Sequence, residues 1–228
     1  MAIISTTGAE HTFCQVIKTI SVEFTREYSE DKTKEIIKGK IYYRAPSKTV
    51  IKVENPIYQW MILEDKEMII YYPDDKKAFR IISTWNPFSM PFFQAFVGVV
   101  KEDYGLTELG YNLANYETND NSLISHWNPP KNLAKFLGEF ILEFEDNKII
   151  RVELRNAKGK ILSKSLYKNH ILYGATYFPL EISTIKYLKS GSTFERIVYK
   201  NPQFNSSIPQ EVVDFKIPED IKVKEVKW

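Results

Sequence analysis

The sequence carries one cysteine, Cys14. No disulfide can close within the chain, and no cysteine-based zinc site is open to it. Histidine is almost as scarce: His11, His126 and His170 lie far apart and share no ligand spacing, so neither a metal centre nor any other cofactor is expected. Charge of one sign is missing too. There are 31 basic and 29 acidic residues, a net charge of +2, and no Lys/Arg-rich run, which removes the electrostatic footprint of a nucleic-acid binder. No apolar run reaches the roughly 20 residues that a membrane-spanning helix needs. The start, "MAIISTTGAEHTF", has neither the positive n-region nor the continuous h-region of a signal peptide. That fits a cytoplasmic protein, or an exported one whose leader has been removed.

What is present is ordinary globular composition, 43% hydrophobic and 26% charged, with a high aromatic share of 14%. Most aromatics are Tyr and Phe, which pack well on a pleated surface. Residues 10–20, "EHTFCQVIKTI", space Phe13, Val16, Ile17 and Ile20 as one face of a short helix. Strand patterns follow. "SVEFTREYS" alternates Val22, Phe24, Arg26 and Tyr28 against polar neighbours. "EIIKGKIYYRAP" sets Ile37, Gly39, Ile41 and Tyr43 opposite Lys38 and Lys40, and Pro46 ends it. "KTVIKVENP" sets Ile51 and Val53 opposite Lys52 and Glu54. Residues 57–82 read as three strands joined by "EDKE" and "PDDKK". These links are too short for a parallel crossover.

The stretch at 86–100, "NPFSMPFFQAFVGVV", holds no charge. Ser89 ahead of Pro91 marks a helix start, and the helix would run from Pro91 to about Asp103. Its apolar surface goes most of the way round, as in a helix buried on several sides. A core helix and a lid over an apolar ligand both fit that pattern.

Beyond it, "YNLANYETNDNSLISHWNPP" mixes loop and strand signals. "GEFILEFEDNKIIRVELRNAKGKILSKSLY" reads as a meander turning at "EDNK" and "NAKGK". Phe140, Leu142 and Phe144 would share a dry face with Ile150, Val152 and Leu154. "YFPLEISTIKYL", "GSTFERIVYK" and "PQEVVDFKIPEDIKV" continue the strands. The sum is ten or eleven strands and two helices in a single domain spanning 1–228. A sheet that large tends to curl and leave a concave apolar face.

Other constellations have plain structural explanations. Asp74 and Asp75 sit in a hairpin turn, where Asp is favoured for backbone reasons. Tyr42, Tyr43, Tyr71 and Tyr72 would make a stacking platform only beside a basic groove. Ser163, Ser165 and His170 lack the strand–elbow–helix context of a hydrolase nucleophile. "NSS" at Asn205 is a short match to a glycosylation acceptor.

The order of parts resembles the LolA-like family of bacterial periplasmic lipoprotein carriers, which shares its fold with LolB receptors and RseB-like sensors. Four stretches carry the resemblance: "GKIYYRAP", "WMILEDKEMIIYYPDDKKAFRI", "IIRVELRNAKGKILSKSLYKN" and "IPQEVVDFKIPEDIKV". It implies a mainly β (α+β) fold: one large antiparallel sheet curled into an unclosed half-barrel, with helices as a lid over an apolar cavity. It also implies a non-enzymatic periplasmic carrier that takes lipoprotein acyl chains or a similar lipid, with an inner-membrane transporter and an outer-membrane receptor as partners. The alternative on the same fold is an RseB-like sensor that detects lipid or lipoprotein and signals to a protein partner. On this reading the cavity is lined by Ile41, Tyr43, Ile51, Val53, Trp60, Phe79, Phe140, Leu142 and Val152. Phe92, Phe93, Phe96, Val97 and Val100 form the lid. The family's functional Arg directly precedes the Pro that ends the second strand; here Ala45 holds that place and Arg44 stands one residue earlier. On "YQWMIL" both registers are apolar. An enzyme built in such a cup would instead show convergent His or carboxylate groups inside it.

Overall fold

The structure is a computed structural model that describes residues 16–64, 67–82, 103–119, 121–135 and 137–227. Strand follows strand through these residues. The first six are β1 (Thr19–Glu30), β2 (Thr33–Arg44), β3 (Lys48–Asn55), β4 (Gln59–Glu64), β5 (Glu67–Tyr72) and β6 (Lys77–Ile82). The next seven are β7 (Asn112–Asn119), β8 (Ser122–Asn128), β9 (Phe140–Glu145), β10 (Lys148–Arg155), β11 (Ile161–Tyr173), β12 (Thr176–Leu188) and β13 (Gly191–Phe204). One helical turn, α1 (Gln210–Val213), precedes β14 (Val223–Lys227).

All the strands join one sheet in the order β14-β6-β5-β4-β3-β2-β1-β13-β12-β11-β10-β9-β8-β7. Two meanders, β1–β6 and β7–β13, are thus sewn together where β1 pairs β13 antiparallel, from Ile20↔Phe204 to Glu30↔Thr193. Every pairing is antiparallel except β14 on β6, which is parallel. Among the described residues β7 and β14 are the two edges, and the sheet is unclosed.

The turns follow their residues. β9 and β10 are joined at Asp146 (φ 48°) and Asn147 (φ 62°), two residue types that tolerate the left-handed conformation a tight hairpin needs. Asp74 and Asp75 lie in the turn between β5 and β6.

The inner face holds the main core. Ile20, Ile41, Ile51, Leu63 and Phe178 are all 0% exposed, and each buried side chain of this size contributes roughly 1.5–3 kcal/mol. Tyr173 of β11 and Phe204 of β13 stack at 4.4 Å, although β12 lies between their strands. Strands two apart are about 9.6 Å from each other, so the rings lean over β12 on the inner side. The outer face differs between the two halves. Over β2–β6 it is covered by the segment after β13, which forms a second cluster of Tyr42, Val50, Trp60, Tyr71, Ala78, Val212 and Ile221. Over β8–β11 it is ionic: Arg151 bonds Glu143 and Glu153, Arg155 reaches Glu153 at 3.3 Å, and His126 meets Glu139 at 2.5 Å.

Asn205 anchors the covering segment. Its Oδ1 accepts from the Lys18 N–H at 2.7 Å and its Nδ2 donates to the Val16 carbonyl at 2.9 Å. The side chain that matched a glycosylation acceptor is therefore engaged as a clamp.

Several expectations need correction. The short helix expected over 10–20 lies outside the described residues up to 15. From Thr19 the chain is strand, with Ile20 inside β1: its apolar residues pack on β13 and β2 rather than forming a helical face. Asn112–Asn128, read as mixed loop and strand, is the β7–β8 hairpin. Ile150 does not join the dry row. The register shifts between Ile149 and Arg151, so Ile149 is the buried residue, 2% exposed. The helix expected from Pro91 lies outside the described residues except at Asp103, and among the described residues α1 is the only helix.

Candidate functional site

Because paired residues in antiparallel strands share a face, the register tells which side chains look inward. Ile41 pairs Ile51 and Val22. Tyr43 pairs Ile20, and Val53 pairs Gly39. On the other meander, Leu142 pairs Val152, and Phe140 pairs Leu154. These seven expected site residues (Ile41, Tyr43, Ile51, Val53, Phe140, Leu142 and Val152) all belong to the inner cluster. Phe79 pairs Ile70, which packs on that cluster, and meets the Tyr72 ring edge-on at 6.2 Å.

Two expected site residues fall on the opposite face. Trp60 pairs Tyr71 and stacks on Phe215 at 4.4 Å and 7°, within the outer cluster. Arg44 follows inward Tyr43, so it points outward. There, with Tyr42, Lys48 and Val212, it lines a small crevice under the covering segment. A strand buried on both faces shows no alternation of polarity, so "YQWMIL" offered no way to choose. Phe92, Phe93, Phe96, Val97 and Val100 lie outside the described residues.

The inner face also carries a polar row that the sequence did not reveal. Tyr28 pairs Glu195, Glu195 pairs Thr184, and Thr184 pairs Ser165, one row across β1, β13, β12 and β11. Arg26 of β1 turns both Nε, at 2.9 Å, and Nη2, at 2.7 Å, onto Glu195 Oε2. Its guanidinium also lies 5.2 Å from the Tyr28 ring centroid. The hydroxyls of Ser165 and Thr184 bond at 2.8 Å. Glu195 is 5% exposed, yet among the described residues its Oε1 has no hydrogen-bond partner. In "GSTFERIVYK" nothing assigned this residue a role. Its partner Arg26 is 169 positions away, beyond any local signal.

Beside this row sit deeply buried phenols. Burial raises the pKa values of Tyr104, Tyr167 and Tyr199 well above the ordinary phenol range, and the nearby Tyr167 hydroxyl adds to the rise for the other two. Tyr111 is pushed up to about 12 by burial. All four stay neutral at any physiological pH. The Ser163, Ser165 and His170 grouping comes apart. His170 pairs Pro179 while Ser165 pairs Thr184 in unbroken register, and their odd separation along one strand points the two to opposite faces. His170 Nε2 donates to the Ile149 carbonyl at 2.8 Å, and burial lowers its pKa against the pull of that bond.

The segment 103–111 straps the inner face at β9. Tyr104 tilts against Phe144 at 5.8 Å, and Tyr111 meets Phe140 edge-on at 4.9 Å. Asp103 holds the strap's first turn: its carboxylate accepts from the Gly105 N–H at 2.9 Å and the Thr107 N–H at 3.1 Å. Partial burial pushes the Asp103 pKa up, but the bonds from Thr107 and Gly105 outweigh it and leave the group below its ordinary 3.8. A depressed carboxylate pKa means stability that is fully present above the unfolded value and lost as pH falls through the folded one. Asp103→Ala is therefore expected to lower the thermal midpoint at neutral pH by the equivalent of about 1 kcal/mol. The gap to the wild type should close on acidification below pH 3.8. A gap independent of pH would show that the carboxylate charge is irrelevant to the strap.

A groove of about 440 Å³ lies on the outer face, between β4–β6 and residues 215–223. Ile62, Ile69 and Phe215 alternate there with Lys48, Glu64 and Arg80, a mixed lining unlike that of the inner face. Among the described residues no helix is long and apolar enough to cross a membrane.

No protein-family model and no curated protein sequence matches the chain. Solved structures do match. A LolA superfamily protein from Nitrosomonas europaea aligns with a TM-score of 0.60 at 14% identity, over 86% of this chain and 90% of that one. A DUF1329 family protein from Desulfovibrio piger aligns with a TM-score of 0.63 at 12% identity, over 86% and 89%. A domain from Vibrio parahaemolyticus, described as belonging to an outer-membrane lipoprotein-sorting protein, aligns with a TM-score of 0.62 at 9% identity, over the same shares. The fold is LolA-like.

Proposed function

We propose that this chain is a non-enzymatic carrier that takes acyl chains of a lipoprotein, or of a similar lipid, onto the inner face of its unclosed sheet and moves them across the periplasm. The carrying observation is the inner cluster itself. It runs as one apolar surface from Leu63 and Met68 of the first meander to Leu142 and Val152 of the second, in a sheet whose edges do not meet. A LolA-like fold supports that use, as do its matches to a LolA superfamily protein and a lipoprotein-sorting domain.

An acyl chain leaving a bilayer loses about 0.8 kcal/mol per buried CH₂. Three such chains therefore need on the order of 30 kcal/mol of replacement contact, which only a broad apolar surface supplies. The uncharged stretch 86–100 is suited to cover it. Delivery would run from an inner-membrane transporter to an outer-membrane receptor.

The test is native mass spectrometry of the gently extracted protein, together with transfer of a triacylated lipopeptide between donor and acceptor vesicles. Co-purifying acylated species and faster transfer are the expected results. Binding without transfer would point to a sensor. A clean unliganded mass with no uptake of N-phenyl-1-naphthylamine, an apolar fluorescent probe, would overturn the reading.

A further inference from the structure

Inside an apolar surface, a carboxylate oxygen without a donor is a costly feature. Glu195 Oε1 is one: the residue is 5% exposed, Oε1 is unpartnered among the described residues, and Arg26 has spent its Nε and Nη2 on Oε2. The hydroxyls along the row do not fill the gap: Thr184 and Ser165 bond each other at 2.8 Å, and neither lies within hydrogen-bond reach of Oε1. The next row, through Arg26, Ile197, Ile182 and Tyr167, opens the apolar floor. On the other side lie Glu30 and Thr193, near the hairpin ends of β1 and β13. The polar row thus separates the floor from one end of the sheet, as the head and tail of an amphiphile would require.

We propose that Glu195 Oε1 is the anchor for an amphiphile whose head is a neutral hydroxyl donor, of the kind a monoacylglycerol carries, with its alkyl chain on the adjoining apolar rows. This rests on the acyl-binding reading above. The charge state selects the head. Arg26 already neutralises Glu195, so an ammonium head would bring an uncompensated charge into a buried place. A carboxylate head would set lone pairs against lone pairs. A hydroxyl supplies the one missing proton and adds no charge.

The experiment displaces N-phenyl-1-naphthylamine from the full chain with 1-monooleoylglycerol and, separately, with methyl oleate, which has the same chain and no donor. The wild type is expected to favour 1-monooleoylglycerol by roughly tenfold after correction for the two lipids' water-to-micelle partition. In Glu195→Gln the amide oxygen faces Arg26 and the amide N–H₂ takes the place of Oε1. The site becomes a neutral donor, which the ester carbonyl present in both lipids can satisfy as well as a glycerol hydroxyl can, so the preference should shrink. Equal binding of the two lipids by the wild type overturns the proposal, as does an unchanged preference in a folded Glu195→Gln. The wild-type comparison needs no variant and stands even where the substitution prevents folding. Binding of both lipids without discrimination defeats this inference alone. Failure of the probe to bind defeats the carrier reading and this inference with it.

Discussion

Gly39→Ala is expected to leave little or no folded protein. A Cβ placed on Gly39 would lie 2.1 Å from the Lys52 carbonyl oxygen and 2.9 Å from the Val53 Cα. Both are backbone atoms of the paired strand, so no side chain can swing aside to make room. The close approach occurs where the register of β2 against β3 shifts, between Lys38 and Gly39. Relief requires β3 to move away or slip. A slip of one residue would turn Ile51 and Val53 out of the core and Lys52 into it. The damage would reach β1, which pairs the whole length of β2 and sews the two meanders together. The expected loss is about 4 kcal/mol or more, in the range reserved for gross clashes and lost packing. Gly159→Ala is the matched control. Its φ is +78° but nothing lies within 4 Å of the added carbon, so about 1 kcal/mol is expected. Urea midpoints of the two variants check this. A Gly39→Ala protein as stable as Gly159→Ala would show that the strands do not approach so closely.

Trp60→Ala is expected to cost about 3–5 kcal/mol, as for a buried aromatic truncated in a core, while the affinity of the remaining folded protein for acyl chains stays unchanged. Trp60 is 6% exposed and serves the outer face alone. Its ring stacks on Phe215, its Nε1 donates to the Tyr58 hydroxyl at 2.9 Å, and the Lys52 ammonium sits 5.0 Å from the ring centroid. Removing it takes the stacking partner from the segment that follows β13. Proteolysis within residues 206–222 should speed up before the sheet itself is cut. Denaturant titration, limited proteolysis and probe binding on one preparation separate these effects. Weaker lipid binding at unchanged stability would mean that Trp60 faces the ligand, as the family resemblance had implied.

The elements that could be read from the sequence share one property: their signal is local and one of their faces is wet. In "KGKIYYR" the lysines mark the outer side of β2, and Ile41 and Tyr43 turned inward as expected. "EDNK" placed a hairpin turn where Asp146 and Asn147 adopt positive φ. Where that contrast was absent, reading stopped. β7 is exposed at every residue and offered no dry face to recognise. β4 is covered on both sides, inside by the main core and outside by Phe215, 155 positions later in the chain than Trp60. The bulge between Ile149 and Arg151 changed which residue faces inward without any Gly or Pro to announce it.

The amino-acid sequence by itself determined that this chain makes a strand-rich domain with tight polar turns, because alternation and turn chemistry act over a few neighbouring residues. Only the tertiary structure decided that β1 pairs β13, that β14 lies parallel to β6, that Trp60 and Arg44 look outward, and that Arg26 meets Glu195 on the inner face. Each of those facts depends on partners tens to hundreds of positions apart. Which face of a strand is buried depends on what the rest of the chain lays against it.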